Sequence, residues 1–216
     1  MRFIAFGCSY TWGDGILPGD SWDTPPSAAS WVQNLSNQFN IPLVNLASSG
    51  GSNSLILHQI KNHQWQAGDI ALILWTFLER STIYDSPDSF RHLSSYHIET
   101  KTRPYVKEYY TLFPEYHISY TSLQEIEHAY LYLLSHKIPM LSRFLYDNIN
   151  LEIRGLDSRM LEDLKKITLY QIVDALHRET GVEPLGADNM HFNALVHRMF
   201  AGAVEADLTQ LLQTKL

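Results

Sequence analysis

The chain has 216 residues, of which 45% are hydrophobic and 18% charged, the balance of a folded globular protein rather than a disordered or membrane-spanning one. No apolar run reaches bilayer length, and a formal charge of −7 disfavours a polyanion ligand, so neither a membrane span nor a nucleic acid partner is expected. One cysteine excludes an internal disulfide framework and a cysteine-based zinc site, and it points to a reducing, cytoplasmic compartment.

The first apolar run, Arg2 to Phe6, reads as a buried strand rather than a signal-peptide core, because it is too short and leads directly into Gly7-Cys8-Ser9. A helical stripe follows at Trp31, Val32, Leu35 and Phe39, and Pro42 to Leu46 reads as the next strand. Leu55, Ile56 and Ile60 form a second stripe, and Asp69 to Trp75 a third strand. Beyond it, Leu123, Ile126, Tyr130, Leu133 and Leu134 mark a long helix and Ile138 to Tyr146 a fourth strand. Leu161, Leu164, Ile172 and Leu176 continue the helical pattern, and Val196, Met199, Phe200, Ala203 and Val204 place a helix at the C-terminal end. Strands alternating with helices imply an α/β fold with a parallel sheet covered on both faces. No repeat, low-complexity tract or linker divides the chain, so a single domain over 1–216 is expected.

Residues 81–119 break the alternation, with few aliphatics but with Tyr84, Phe90, Tyr96, Tyr105, Tyr109, Tyr110, Phe113 and Tyr116. Such a stretch exceeds ordinary connection lengths and is expected to be an insertion, either substrate-facing or a capping or contact surface.

Chemistry-bearing residues gather at strand ends, where active sites of parallel sheets form. Ser9 follows the first strand and has two readings, a nucleophile or a helix N-cap. Cys8 beside it is a better intrinsic nucleophile, but adjacent residues point different ways, and Cys8 is expected to pack as a small hydrophobe. The second strand ends in Asn45-Leu46-Ala47-Ser48-Ser49-Gly50-Gly51-Ser52-Asn53, where Gly50 could offer a backbone N–H to a developing oxyanion or simply shape a turn capped by Ser52. Asp188 and His191 are spaced so that the carboxylate can reach imidazole Nδ1 and leave Nε2 for Ser9; alternatively, Asp188 caps the last helix. Gly13, Gly15 and Gly19 fit no phosphate-loop spacing and are expected to shape a pocket rim with Trp12 and Asp14. The remaining histidines carry no metal-ligand spacing, so no metal site is expected.

In combination and order these segments resemble the SGNH (GDSL-like) hydrolase family, with its early G-D-S block, its glycine block, its G-x-N-D block and its late D-x-x-H block. Gly7-Cys8-Ser9 is similar to the first, with Cys8 in place of Asp; Asn45 to Gly50 is similar to the second; Asp188 to His191 matches the last. The resemblance implies a three-layer α/β/α, flavodoxin-like fold and a serine esterase that needs no cofactor. Ser9 would be the nucleophile, His191 the base, Asp188 its orienting carboxylate, and the Ser9 and Gly50 N–H groups the oxyanion donors. The implied substrate is a small acyl ester, such as an O-acetyl group on a carbohydrate, or a lipid or thioester, cleaved through an acyl-enzyme.

The third block departs from the pattern, because Trp75-Thr76-Phe77-Leu78-Glu79-Arg80 contains no Asn. The Thr76 hydroxyl, the Asn53 amide and the Arg80 guanidinium are the candidate replacements, Thr76 first; Arg80 could instead bind an anionic substrate group. Loss of one oxyanion donor costs on the order of a hundredfold in rate. The alternative reading is a non-catalytic SGNH-like carbohydrate- or ligand-binding module. A nucleotide-binding fold is a further competitor, for which neither glycine turn has the fingerprint.

Overall fold

The computed structural model describes residues 1–21, 23–86, 89–94, 104–146 and 156–214. The strands β1 (Phe3–Phe6), β2 (Leu43–Asn45), β3 (Ile70–Trp75) and β6 (Met140–Phe144) form one parallel sheet in the order β2-β1-β3-β6. Register pairs Ile4 with Val44 on one side and with Ala71 on the other, and Ile73 with Ser142. All four β1 residues and all six β3 residues are buried, as expected of central strands covered on both faces.

Strand alternation sorts these side chains onto two cores. Phe3, Ala5, Ile70, Leu72 and Leu74 point to one face, where α2 (Trp31–Phe39), α7 (Leu169–Thr180) and α8 (Ala194–Gln213) pack with Trp31, Leu35, Ile172, Val196, Phe200 and Val204. Ile4, Phe6, Ala71, Ile73 and Trp75 point to the other, beneath α3 (Asn53–Asn62), α5 (Glu115–Ser135) and α6 (Ser158–Leu164) with Ile56, Ile60, Leu123, Ile126 and Met160. The expected three-layer α/β/α arrangement is therefore the one formed. Leu134, expected on the buried stripe of α5, is 38% exposed, and Leu133 beside it takes the core position.

Residues 81–119 hold more regular structure than their composition suggests. Strands β4 (Ser81–Ser86) and β5 (Ser89–Leu93) form an antiparallel hairpin with Tyr84 opposite Phe90, and α4 (Pro104–Leu112) follows. Helix α5 starts at Glu115, so the last residues of this span belong to it. Tyr96 lies outside the described residues. Among the described residues no helix is long and apolar enough to cross a membrane.

Candidate active site

The site assembles at the carboxyl ends of β1, β2 and β3. After Phe6 the chain passes through Gly7 into α1 (Ser9–Trp12), a single turn closed by Gly13. Cys8 occupies the N-cap position and is fully buried, which leaves Ser9 as the first helical residue. The capping reading of Ser9 is thus not realised, and its hydroxyl is spared that hydrogen bond.

Two interactions fix the second block against the first. Asn45 Nδ2 donates to Thr11 O at 2.9 Å, while Ser48 N donates to Gly7 O at 3.0 Å. Gly51 N then closes a turn onto Ser48 O at 2.9 Å, with Gly50 inside it at φ +71°, a conformation that favours glycine. The Gly50 turn therefore lies beside the entry to α1.

Asp188 and His191 are joined directly. Asp188 Oδ2 lies 2.6 Å from His191 Nδ1, and Oδ1 accepts from the backbone N–H groups of Met190 and His191, both at 2.9 Å. Burial raises the Asp188 carboxyl, but the backbone and imidazole hydrogen bonds from His191 and the one from Met190 outweigh it and hold it below the usual carboxylate range. Asp188 does not cap the last helix: α8 begins at Ala194, and Asn193 caps it by accepting from Leu195 and Val196. With Nδ1 engaged, Nε2 is the nitrogen left for proton transfer. The His191 ring stands 5.1 Å from that of Tyr10, the residue after Ser9. Among the described residues no hydrogen bond joins Ser9 to His191; in ligand-free sites such bonds often close only around substrate.

The three candidates for the missing side-chain donor have different fates. Asn53 is fully buried, with Oδ1 accepting from Thr76 N at 2.9 Å and Nδ2 donating to Thr76 O at 3.2 Å and Ser122 Oγ at 2.9 Å. Its amide is spent holding the end of β3 to α3. Thr76 is likewise buried, and its Oγ1 accepts from Arg80 Nη1 at 3.3 Å. The Arg80 guanidinium lies 4.7 Å over the Phe77 ring and interacts electrostatically with Tyr10. Its Nε is buried without a hydrogen-bond partner among the described residues.

Other groups reach the site that sequence reasoning left at its margins. Asp14, assigned only to a pocket rim, accepts a short hydrogen bond from Ser49 and interacts electrostatically with His191 and Asp188. His92 of β5 approaches within 3.5 Å of where a Gly50 side chain would begin, so the hairpin covers the glycine turn. Ser52 Oγ meets Thr82 Oγ1 at 2.7 Å and secures that contact. Beneath the hairpin and α4 lies a cavity of about 170 Å³ bordered by Arg80, Thr82, Tyr109, Phe113, His117 and Glu125. Burial pushes Glu125 up to about 7. Among the described residues no cluster of three or more His, Cys, Asp or Glu could hold a metal ion.

Solved structures share this fold. A member of the lipolytic protein G-D-S-L family from Veillonella parvula aligns with a TM-score of 0.52 at 16% identity, over 97% of this chain and 98% of that one. A carbohydrate esterase family 2 enzyme with a carbohydrate binding domain from Corynascus thermopiles (Myceliophthora fergusii) gives 0.53 at 10% identity, over 98% and 67%. An acetyl xylan esterase from the rumen bacterium Butyrivibrio proteoclasticus gives 0.51 at 10% identity, over 96% and 64%. No protein-family model and no curated protein matches the sequence.

Proposed function

We propose that the chain is a serine ester hydrolase of SGNH type. The observation that carries this reading is the 2.6 Å contact between Asp188 Oδ2 and His191 Nδ1, made by a histidine whose ring stands 5.1 Å from that of Tyr10, the residue after Ser9 in α1. A hydroxyl at the carboxyl end of a parallel strand, an imidazole next to it and a carboxylate fixing that imidazole are the parts acyl transfer requires. The fold shared with lipolytic and carbohydrate-esterase structures supports the same reading.

In this mechanism Ser9 Oγ attacks the ester carbonyl as its proton passes to His191 Nε2. The negative charge on the carbonyl oxygen is met by the Ser9 and Gly50 N–H groups. His191 then delivers the proton to the leaving alcohol as the C–O bond breaks, and water, deprotonated by the same imidazole, releases the acyl group from Ser9. Asp188 stays ionised and stabilises the imidazolium. Arg80, held by Thr76 and Phe77, supplies the side-chain donor for the substrate that an Asn would otherwise provide. We assign a small acyl group on a carbohydrate as the substrate class, in keeping with the esterase named for acetyl xylan among the structures of the same fold.

One observation favours a second reading, a ligand-binding module without efficient turnover: the only side-chain amide near the end of β3 that was a candidate donor, Asn53, is spent on the framework. Hydrolysis of p-nitrophenyl acetate and acetylated xylan separates the two. Turnover that Ser9→Ala abolishes supports the esterase; xylan binding with no turnover above Ser9→Ala supports the module.

A further inference from the structure

Asp14 lies two residues after α1 and is tied to the site from three directions. Its backbone N–H donates to Ser9 O at 3.1 Å. Its Oδ2 accepts from Ser49 Oγ, the residue before Gly50. The next residue, Gly15, accepts from Ala187 N at 2.7 Å and abuts the Asp188 carboxylate. The charged groups around Asp14 are His191 and Asp188, from the loop that packs on it, and Asp20 of its own loop.

The Asp14 side chain is nevertheless poorly provided for. The residue is 6% exposed, and Oδ1 is buried with no hydrogen-bond partner among the described residues. A half-satisfied buried carboxylate costs folding free energy, so its presence at a site of this kind calls for a functional reason.

We propose that Asp14 is a positioning residue for the ester hydrolysis described above: through Ser49 it holds the Gly50 turn beside Ser9, and through space it faces the His191 imidazole with negative charge as the Ser9 proton arrives. The inference rests on the hydrolase reading. Asp14 exchanges no proton with substrate; the proton leaving Ser9 Oγ goes to His191 Nε2 and departs on the alcohol. What Asp14 adds is a second carboxylate, with Asp188, to balance the imidazolium, together with a fixed oxyanion turn.

The energetics of the carboxyl give the test its sign. Burial raises the Asp14 carboxyl; the Ser49 hydrogen bond and His191 oppose that, Asp188 and Asp20 reinforce it, and the balance is upward. A carboxyl raised on folding destabilises the native state once ionised, and the penalty grows as pH rises through its folded value. Removing the charge therefore relieves the fold at neutral and higher pH, whereas a residue kept for structure would lose stability on replacement.

The experiment measures Tm, and kcat and KM for p-nitrophenyl acetate across pH, for wild type, Asp14→Asn, Ser49→Ala and the double variant. For Asp14→Asn we expect a Tm at about pH 8 no lower than wild type, a fall in kcat of about tenfold or more with KM nearly unchanged, and an acid limb of the kcat/KM profile moved to lower pH. The double variant should lose no more than the worse single one, because the two residues act as a unit. An active wild type with an Asp14→Asn variant of unchanged kcat overturns this inference alone, as does a joint fall in Tm and kcat with the acid limb unmoved. A wild type that neither turns over p-nitrophenyl acetate nor reacts with a fluorophosphonate overturns the hydrolase reading, and this inference with it.

Discussion

Gly15 and Asp188, far apart in the chain, are packed so closely that a Cβ on Gly15 would stand 2.2 Å from the Asp188 carboxyl carbon. Gly15 also adopts φ +64°, a conformation L side chains resist. The loop after α1 thus forms the wall against which the carboxylate is set toward His191. Gly15→Ala is expected to push Asp188 off its hydrogen bond, lowering kcat by on the order of a hundredfold or more while costing about 1–3 kcal/mol of stability. Activity assays and denaturant unfolding check both; a variant as active as wild type would show that the contact positions nothing.

Asn53 carries a different expectation, because its amide serves the framework. Asn53→Leu removes the two bonds to the Thr76 backbone and leaves that buried N–H and C=O unmet, at a cost of about 2–4 kcal/mol. By the usual scaling this lowers Tm by roughly 5–15 °C for a domain of this size. Thermal unfolding of Asn53→Leu beside Thr76→Val tests it: the Asn53 variant should be the less stable, because Thr76→Val keeps the backbone groups paired.

Glu125 gives a pH-dependent prediction. Burial lifts its carboxyl to about 7, well above the usual carboxylate range, so the fold favours the protonated form. Stability from this group is fully present below the unfolded value, declines as pH rises, and is lost once pH passes the folded value. Glu125→Gln should therefore leave stability unchanged near pH 4 and raise it at about pH 8, by on the order of 2–3 kcal/mol. Chemical denaturation at the two pH values decides; equal effects at both would mean that charge burial is not the cause.

Much of the site lies in short strings where neighbours in sequence are neighbours in space. Asp188 and His191 are three apart, and Ser9 follows its strand by a few residues, so residue type and spacing made them candidates, and the combination and order of the blocks singled them out. The competing capping roles could not be separated at that level, because they depend on where each helix starts. Cys8 and Asn193 take those positions, which local composition does not dictate. The surroundings of Asp14 and Asn53 were not legible for the opposite reason, since their partners Ser49 and Thr76 lie 35 and 23 positions away.

The region after β3 did carry a readable signal. Tyr105, Tyr109 and Phe113 recur every four residues, a helical period written in aromatics rather than aliphatics, and the rings of Tyr109 and Phe113 pack at a tilt, 5.0 Å apart, along α4 and its end. The hairpin before it was harder to foresee, because its hold on the glycine turn comes from Thr82, Tyr84 and His92 meeting Ser52, Ser54 and Gly50.

The central claim is that Ser9 is a nucleophile activated by His191. The most direct measurement is intact-mass and peptide analysis after exposure to a fluorophosphonate, for wild type, Ser9→Ala, Cys8→Ala and His191→Ala. The account predicts one adduct, on Ser9, present in wild type and Cys8→Ala, absent in Ser9→Ala and slowed by on the order of a thousandfold in His191→Ala. An adduct that persists in Ser9→Ala, or a folded wild type that takes up no probe, would contradict it.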